Sequence, residues 1–193
     1  KKDKGTHQKS TPFNVGKEKS SKQEQKNEIS TFNKTTFSEN KPKTQTPPNV
    51  ALYLGEKSSW CQWDIKYLLN KKGDYDFLEG SHSFVQWLFP NHFSSAFNSS
   101  SYALTLSEAK EFRTNAIIAK RLMKAYDLMF DFYGFQIKNN EIARIDGDFQ
   151  ERYSETIAYP THNHLRIRRI LAHLNVVGFR ELAIKVVNFL KEE

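Results

Sequence analysis

The sequence predicts a mainly α fold: a compact helical domain around one long central helix, with one minor β-hairpin and a disordered N-terminal tail. Three observations carry this. Apolar residues recur at helical spacing through most of residues 50–193. The run LMFDFYGF, Leu128 to Phe135, is apolar nearly all round, and a helix apolar on every side is covered on every side. The first 48 residues repeat at neither 2.0 nor 3.6 and consist largely of Lys, Ser, Thr, Asn, Gln and Pro. Such a segment cannot bury enough apolar area to offset its ordering entropy. The expected division is therefore a Lys/Ser/Thr-rich tail over residues 1–48, closing at Pro47-Pro48, and a folded domain over 49–193.

The elements follow in order. Val50 to Leu54 reads as a docked opening segment, and Trp60 to Asn70 as a helix with Trp60, Trp63, Tyr67 and Leu68 inward. Gly73 to Pro90, GDYDFLEGSHSFVQWLFP, concentrates Tyr75, Phe77, Phe84, Trp87 and Phe89 beside acids and His82. Asp74 to Glu79 suits a helical turn, and Ser81 to Phe89 a short helix stopped by Pro90. Because the central helix needs cover, Phe84, Trp87, Leu88 and Phe89 are expected in the core. Asn91 to Ser101 is a polar loop. Thr105 opens a helix, with Glu108 three residues on completing a capping-box pattern.

The longest helix spans about Thr114 to Tyr133, with Gly134 as its left-handed stop. Phe135–Lys138, Asn139-Asn140 and Glu141–Ile145 read as a hairpin, since Asn tolerates positive φ in a two-residue turn. Two helices close the chain. The first carries Ile167, Ile170, Leu171 and Leu174 on one side and His162, Arg166, Arg169 and His173 on the other. Beyond Gly178, Leu182, Val186, Phe189 and Leu190 form the stripe of the last.

Charge distribution narrows the function. The chain carries a formal +7. Residues 1–50 hold eleven lysines against five acids, so the folded part is almost neutral. A basic tail beside a neutral fold argues against nucleic-acid binding except through the tail. Cys61 is the only cysteine, which excludes an intrachain disulfide and suits a reducing compartment. No phosphate-binding glycine loop, nucleophile elbow or zinc helix is present, so the chain reads as a non-enzyme with no cofactor. His162 and His164 are two apart, pointing about 200° apart on a helix, and do not form a metal pair. They read as caps and surface histidines.

Asp127 and Asp131 share a face of the central helix at i, i+4, where like charges repel. Asp131 lies between Phe130 and Phe132, so its carboxylate needs a partner. An internal bridge to Arg166, Arg168 or Arg169 is the expected one; the alternative is that a carboxylate receives the amine of an outside ligand. The stripe Arg166, Arg169, His173 is expected to be solvated or paired with acids, with phosphate contact as the alternative.

GDYDFLEGSHSFVQWLFP, LTLSEAKEFR, RLMKAYDLMFDFYGF and HNHLRIRRILAHLNVVGF together resemble, in order and spacing, the conserved domain of the opioid growth factor receptor family, from about Asn49 onward. The resemblance implies a non-enzymatic receptor for a Met-enkephalin-like opioid peptide. It also implies restraint of cell growth, protein partners, and location in nucleus and cytoplasm with nuclear-envelope association but no transmembrane segment. A Tyr-Gly-Gly-Phe-Met ligand would need an acid, a cation and an apolar pocket for two rings. The candidates are Asp127 or Asp131, Arg166 or Arg169, and Trp87 with Tyr126 and Tyr133. His82, beside the acids of the aromatic block, is a further candidate. A scaffold that uses the basic tail, in nuclear protein interaction or nucleic-acid binding, is the alternative.

Overall fold

Helix α6 (Ala116–Tyr133) is the spine of the domain, and helices α1 (Pro48–Leu54), α2 (Ile65–Leu69), α5 (Leu106–Thr114) and α7 (Phe149–Thr156) and strand β1 (Phe135–Lys138) pack around it. The structure is a computed structural model that describes residues 45–57, 61–93, 95 and 98–193. The expected tail, up to residue 44, and the inward placement of Trp60 lie outside the described residues.

The order is α1 (Pro48–Leu54), α2 (Ile65–Leu69), α3 (Tyr75–Gly80), α4 (Val85–Leu88), α5 (Leu106–Thr114), α6, β1 (Phe135–Lys138), β2 (Glu141–Arg144), α7 (Phe149–Thr156), α8 (His162–Val176) and α9 (Arg180–Glu192). Among the described residues no helix is long and apolar enough to cross a membrane.

The boundaries of α6 are written in its sequence. Asn115 closes α5 and caps α6, its side chain accepting from the Ile117 and Ile118 N–H groups. Gly134, at φ 93°, ends the helix in the left-handed region that glycine enters without a Cβ penalty. A Cβ there would also stand 3.1 Å from the Phe149 carbonyl oxygen. Between these ends Ile118, Leu122, Ala125, Tyr126, Met129, Phe130, Phe132 and Tyr133 are all buried. Phe84, Trp87, Leu88 and Phe89 supply part of the cover, each at most 2% exposed. Full burial of each Phe contributes about 1.5–3 kcal/mol.

The hairpin pairs Phe135 with Arg144 and Lys138 with Glu141 in antiparallel register. Asn139 and Asn140 turn it at φ 53° and 63°, both central residues positive as a type I′ turn requires. Strand β2 rests on α9, where Lys185 reaches Glu141 at 2.7 Å.

Three expectations are corrected. The helix expected from Trp60 begins only at Ile65, because the Asp64 carboxylate accepts from the Lys66 and Tyr67 N–H groups at 2.7 and 3.1 Å and sets the start there. That phase turns Ile65 and Leu68 inward and leaves Tyr67 exposed. Helix α7 was not foreseen; its Phe149, Tyr153 and Thr156 lie at i, i+4, i+7, a stripe short enough to pass for a loop. Finally, the polar side of α8 is not solvent-facing: Arg166 and His173 are buried together with Ile170 and Leu174.

Candidate functional site

Helix α8 begins at Thr161, whose hydroxyl accepts from Asn163 N–H while His164 Nδ1 accepts from the Thr161 N–H at 3.1 Å. His164 thus serves as the N-terminal cap partner that a Glu more often supplies. Among the described residues no cluster of His, Cys, Asp and Glu could hold a metal ion.

From that start, the polar stripe of α8 runs along the backbone of residues 78–90. Arg166 Nη1 donates to the Leu78 carbonyl at 2.6 Å, and Nη2 to the Glu79 and Ser81 carbonyls at 3.2 and 2.8 Å. Arg169 Nη1 donates to the Phe89 carbonyl at 3.1 Å. His173 Nδ1 donates to the Pro90 carbonyl. Two short helices and an irregular link leave those carbonyls without helical partners, and a buried carbonyl must find a donor. The stripe supplies them, which is why it is both polar and covered. It is neither solvated nor paired with carboxylates, contrary to expectation: Arg166, Arg168 and Arg169 make no ion pair among the described residues.

Between this stripe, α4 and the loop after Pro90 lies a groove of about 490 Å³. His82, His162, Arg166, Arg168 and Arg169 bring positive or protonatable groups to it, Val85, Leu165 and Ala172 line it with apolar surface, and no carboxylate among the described residues lines it. Phe93, on its rim, is 79% exposed. Burial pulls the Arg166 and Arg169 pKa values down. For Arg169 no neighbouring carboxylate opposes that pull. Arg166 has its Nη donors spent on carbonyls, Asn163 and His82, whereas Arg169 commits only Nη1.

Three of the sequence candidates, His82, Arg166 and Arg169, therefore meet in one groove. Asp127 and Asp131 do not join them. Lys72 Nζ sits 2.7 Å from Asp127 and 3.7 Å from Asp131, and the Tyr75 hydroxyl donates to Asp131 at 3.0 Å. The expected arginine bridge is thus replaced by a lysine from the turn after α2. Burial works against the Lys72 charge, but its hydrogen bond to Asp127 and the two carboxylates leave its pKa raised. Trp87, Tyr126 and Tyr133 are core residues at most 2% exposed. The Tyr126 and Tyr133 hydroxyls are buried without a hydrogen-bond partner, and burial raises the pKa of both. Their phase on α6 turns them to the centre, away from the groove.

Gln86 was missed. It lines the groove, is 8% exposed, and its Oε1 is buried without a hydrogen-bond partner. The signal was legible: one amide inside the apolar run Phe84–Phe89.

A second groove, of about 510 Å³, has Asp74, Asp76, Glu79 and Glu155 on its walls with Arg152 among them. Arg152 already pairs with Glu155 at 3.1 Å and stacks 4.2 Å over the Tyr75 ring. Glu79 stands between the grooves, its carboxylate 3.1 Å from His162 Nε2.

A sequence model of the opioid growth factor receptor (OGFr) conserved region matches residues 43–193. The chain belongs to the opioid growth factor receptor family. Among curated members of that family, the opioid growth factor receptor of Homo sapiens is 35% identical over 152 residues, 76% of this chain and 22% of its own length. The Mus musculus receptor is 37% identical over 128 residues, 65% of this chain and 20% of its own. The opioid growth factor receptor-like protein 1 of Mus musculus is 36% identical over 132 residues, 67% of this chain and 28% of its own. The chain thus spans between a fifth and three-tenths of the length of these relatives. No solved structure matches it.

Proposed function

We propose that this chain is a non-catalytic, receptor-like binding domain for an opioid growth factor peptide of the Met-enkephalin type, acting through protein partners to restrain cell growth in the nucleus and around the nuclear envelope. Membership in a family whose curated relatives are named as receptors supports the receptor reading. One observation carries the peptide: the groove between α4 and α8 has the volume of a ligand site, cationic and apolar lining, and no carboxylate among the described residues. A peptide with two aromatic or apolar side chains and a free carboxylate matches that lining. Its amine would fall to the acidic groove beyond the Glu79–His162 pair.

The test is titration calorimetry of the 193-residue chain with Tyr-Gly-Gly-Phe-Met. Saturable heat is expected. Its absence at high micromolar peptide would remove this reading.

A further inference from the structure

Within the groove, Arg169 is a half-buried cation with no countercharge among the described residues, and its neighbour Arg168 is exposed and engages no described partner. Desolvating a cation without an anion is costly, so the site is arranged to receive one. Arg169 has uncommitted N–H groups, and a planar guanidinium offers two parallel donors to a carboxylate. Arg166 is not the receiver, because its forked donors already serve Leu78, Glu79 and Ser81.

Gln86 Oε1 is a second, independent signal. A buried amide oxygen without a donor carries a desolvation penalty of about 1–3 kcal/mol, and a ligand N–H can relieve it. The terminal torsion of glutamine is soft, so that oxygen can be turned toward the groove. Val85, Leu165 and Ala172 then ask for an apolar side chain beside the anion. One chemical unit carries an N–H donor, a carboxylate and an apolar side chain on a single carbon: the last residue of a peptide.

Resting on the groove as the peptide site, we infer that it reads the free C-terminal end of peptides that finish in an apolar residue. Arg169, flanked by Arg168, holds the carboxylate. Gln86 accepts the last peptide N–H, and Val85, Leu165 and Ala172 seat the side chain. A phosphate fits less well, because it has no apolar group or N–H attached to answer the other two features.

The probe is acetyl-Gly-Phe-Met, prepared as the free acid and as the C-terminal amide, titrated into the 193-residue chain by calorimetry. The acid should bind at least about tenfold more tightly than the amide. Arg169→Gln, with melting checked, should bring the acid down to the amide's level, and exposed Arg168→Gln should weaken it several-fold. Gln86→Leu should weaken acid and amide alike. Equal binding of acid and amide to the wild type, or inorganic phosphate displacing the probe at lower concentration than acetate, overturns the inference. The pentapeptide separates the two readings. If Tyr-Gly-Gly-Phe-Met binds equally as acid and amide, the receptor reading stands and this inference falls. If acetyl-Gly-Phe-Met binds as the acid and the pentapeptide does not, the inference stands and the opioid reading falls.

Discussion

Arg166 reaches Leu78 across 88 residues of chain, its Nη1 donating to that carbonyl at 2.6 Å. The same guanidinium serves Glu79 and Ser81, so one side chain ties α8 to the C-terminal end of α3. A cation placed there is also favoured by the carbonyl end of the helix.

Removing it should be severe. Arg166→Ala leaves several part-buried carbonyls without donors, at about 1–3 kcal/mol for each buried acceptor left unsatisfied. We expect a loss of at least about 3 kcal/mol by urea denaturation. Arg166→Lys should recover little of it, because an ammonium cannot reproduce the fork. Recovery of most of the stability by lysine would mean that charge alone matters.

His173 makes stability depend on pH. Its Nδ1 carries the proton donated to Pro90, and its Nε2 is buried without a partner beside Phe89, Phe112 and Tyr126. Burial pushes its pKa down to about 4, with Arg169 adding to the effect and the Pro90 bond opposing it. In the unfolded chain a histidine titrates at about 6.5. The contribution is therefore complete above about pH 6.5 and is lost as pH falls from there through about 4, at roughly 1.4 kcal/mol per pH unit between the two. Urea midpoints at pH 7.5 and 5 should show a loss in the wild type that His173→Asn largely flattens. Parallel curves for the two proteins would contradict this.

Glu108 does more than close a capping box. Its carboxylate, 2% exposed, accepts from the Thr105 N–H at 2.8 Å and from the Asn49 N–H and Nδ2 at 3.2 and 3.1 Å, joining α5 to α1. An ordinary cap contributes about 1 kcal/mol. Glu108→Ala should cost about 3 kcal/mol or more, since four donors, the Thr105 hydroxyl included, lose their acceptor in one step. Glu108→Gln, which keeps an acceptor, should cost clearly less. Chemical denaturation of the two variants decides it.

Lys72 is the opposite case. Its pairs with Asp127 and Asp131 are part-exposed, and such pairs contribute about 0.2–1 kcal/mol and fade with salt. Lys72→Gln should lower the melting temperature slightly at low ionic strength and leave it unchanged at 1 M salt. Asp131→Asn should be nearly neutral for stability, since the amide oxygen can still accept from Tyr75. A large, salt-insensitive loss in either variant would show that the pair is energetically buried.

What could be read in advance was local. The capping box at Thr105, the Gly134 stop, the Asn139-Asn140 turn and the α9 stripe each depend on residues a few positions apart, and each stands where the pattern put it. The candidate site was legible only in part. His82, Arg166 and Arg169 were picked out, but the groove they share is built from segments about eighty residues apart, and no local pattern encodes that pairing. Asp131 was correctly judged to need a partner, yet its cation is Lys72, since sequence carries the need without the address.

By itself, then, the sequence determined the helical class, the family, the central helix with its ends, and the aromatic block that covers it. Only the tertiary structure decided what the polar stripe of α8 does. Periodicity sorts residues into apolar and polar sides, and a polar side ordinarily means solvent. Here the Leu78, Ser81, Phe89 and Pro90 carbonyls of the opposing backbone take their donors from side chains of α8. Buried carbonyls drew Arg166, Arg169 and His173 inward, leaving Arg169, with only Nη1 committed, facing the groove.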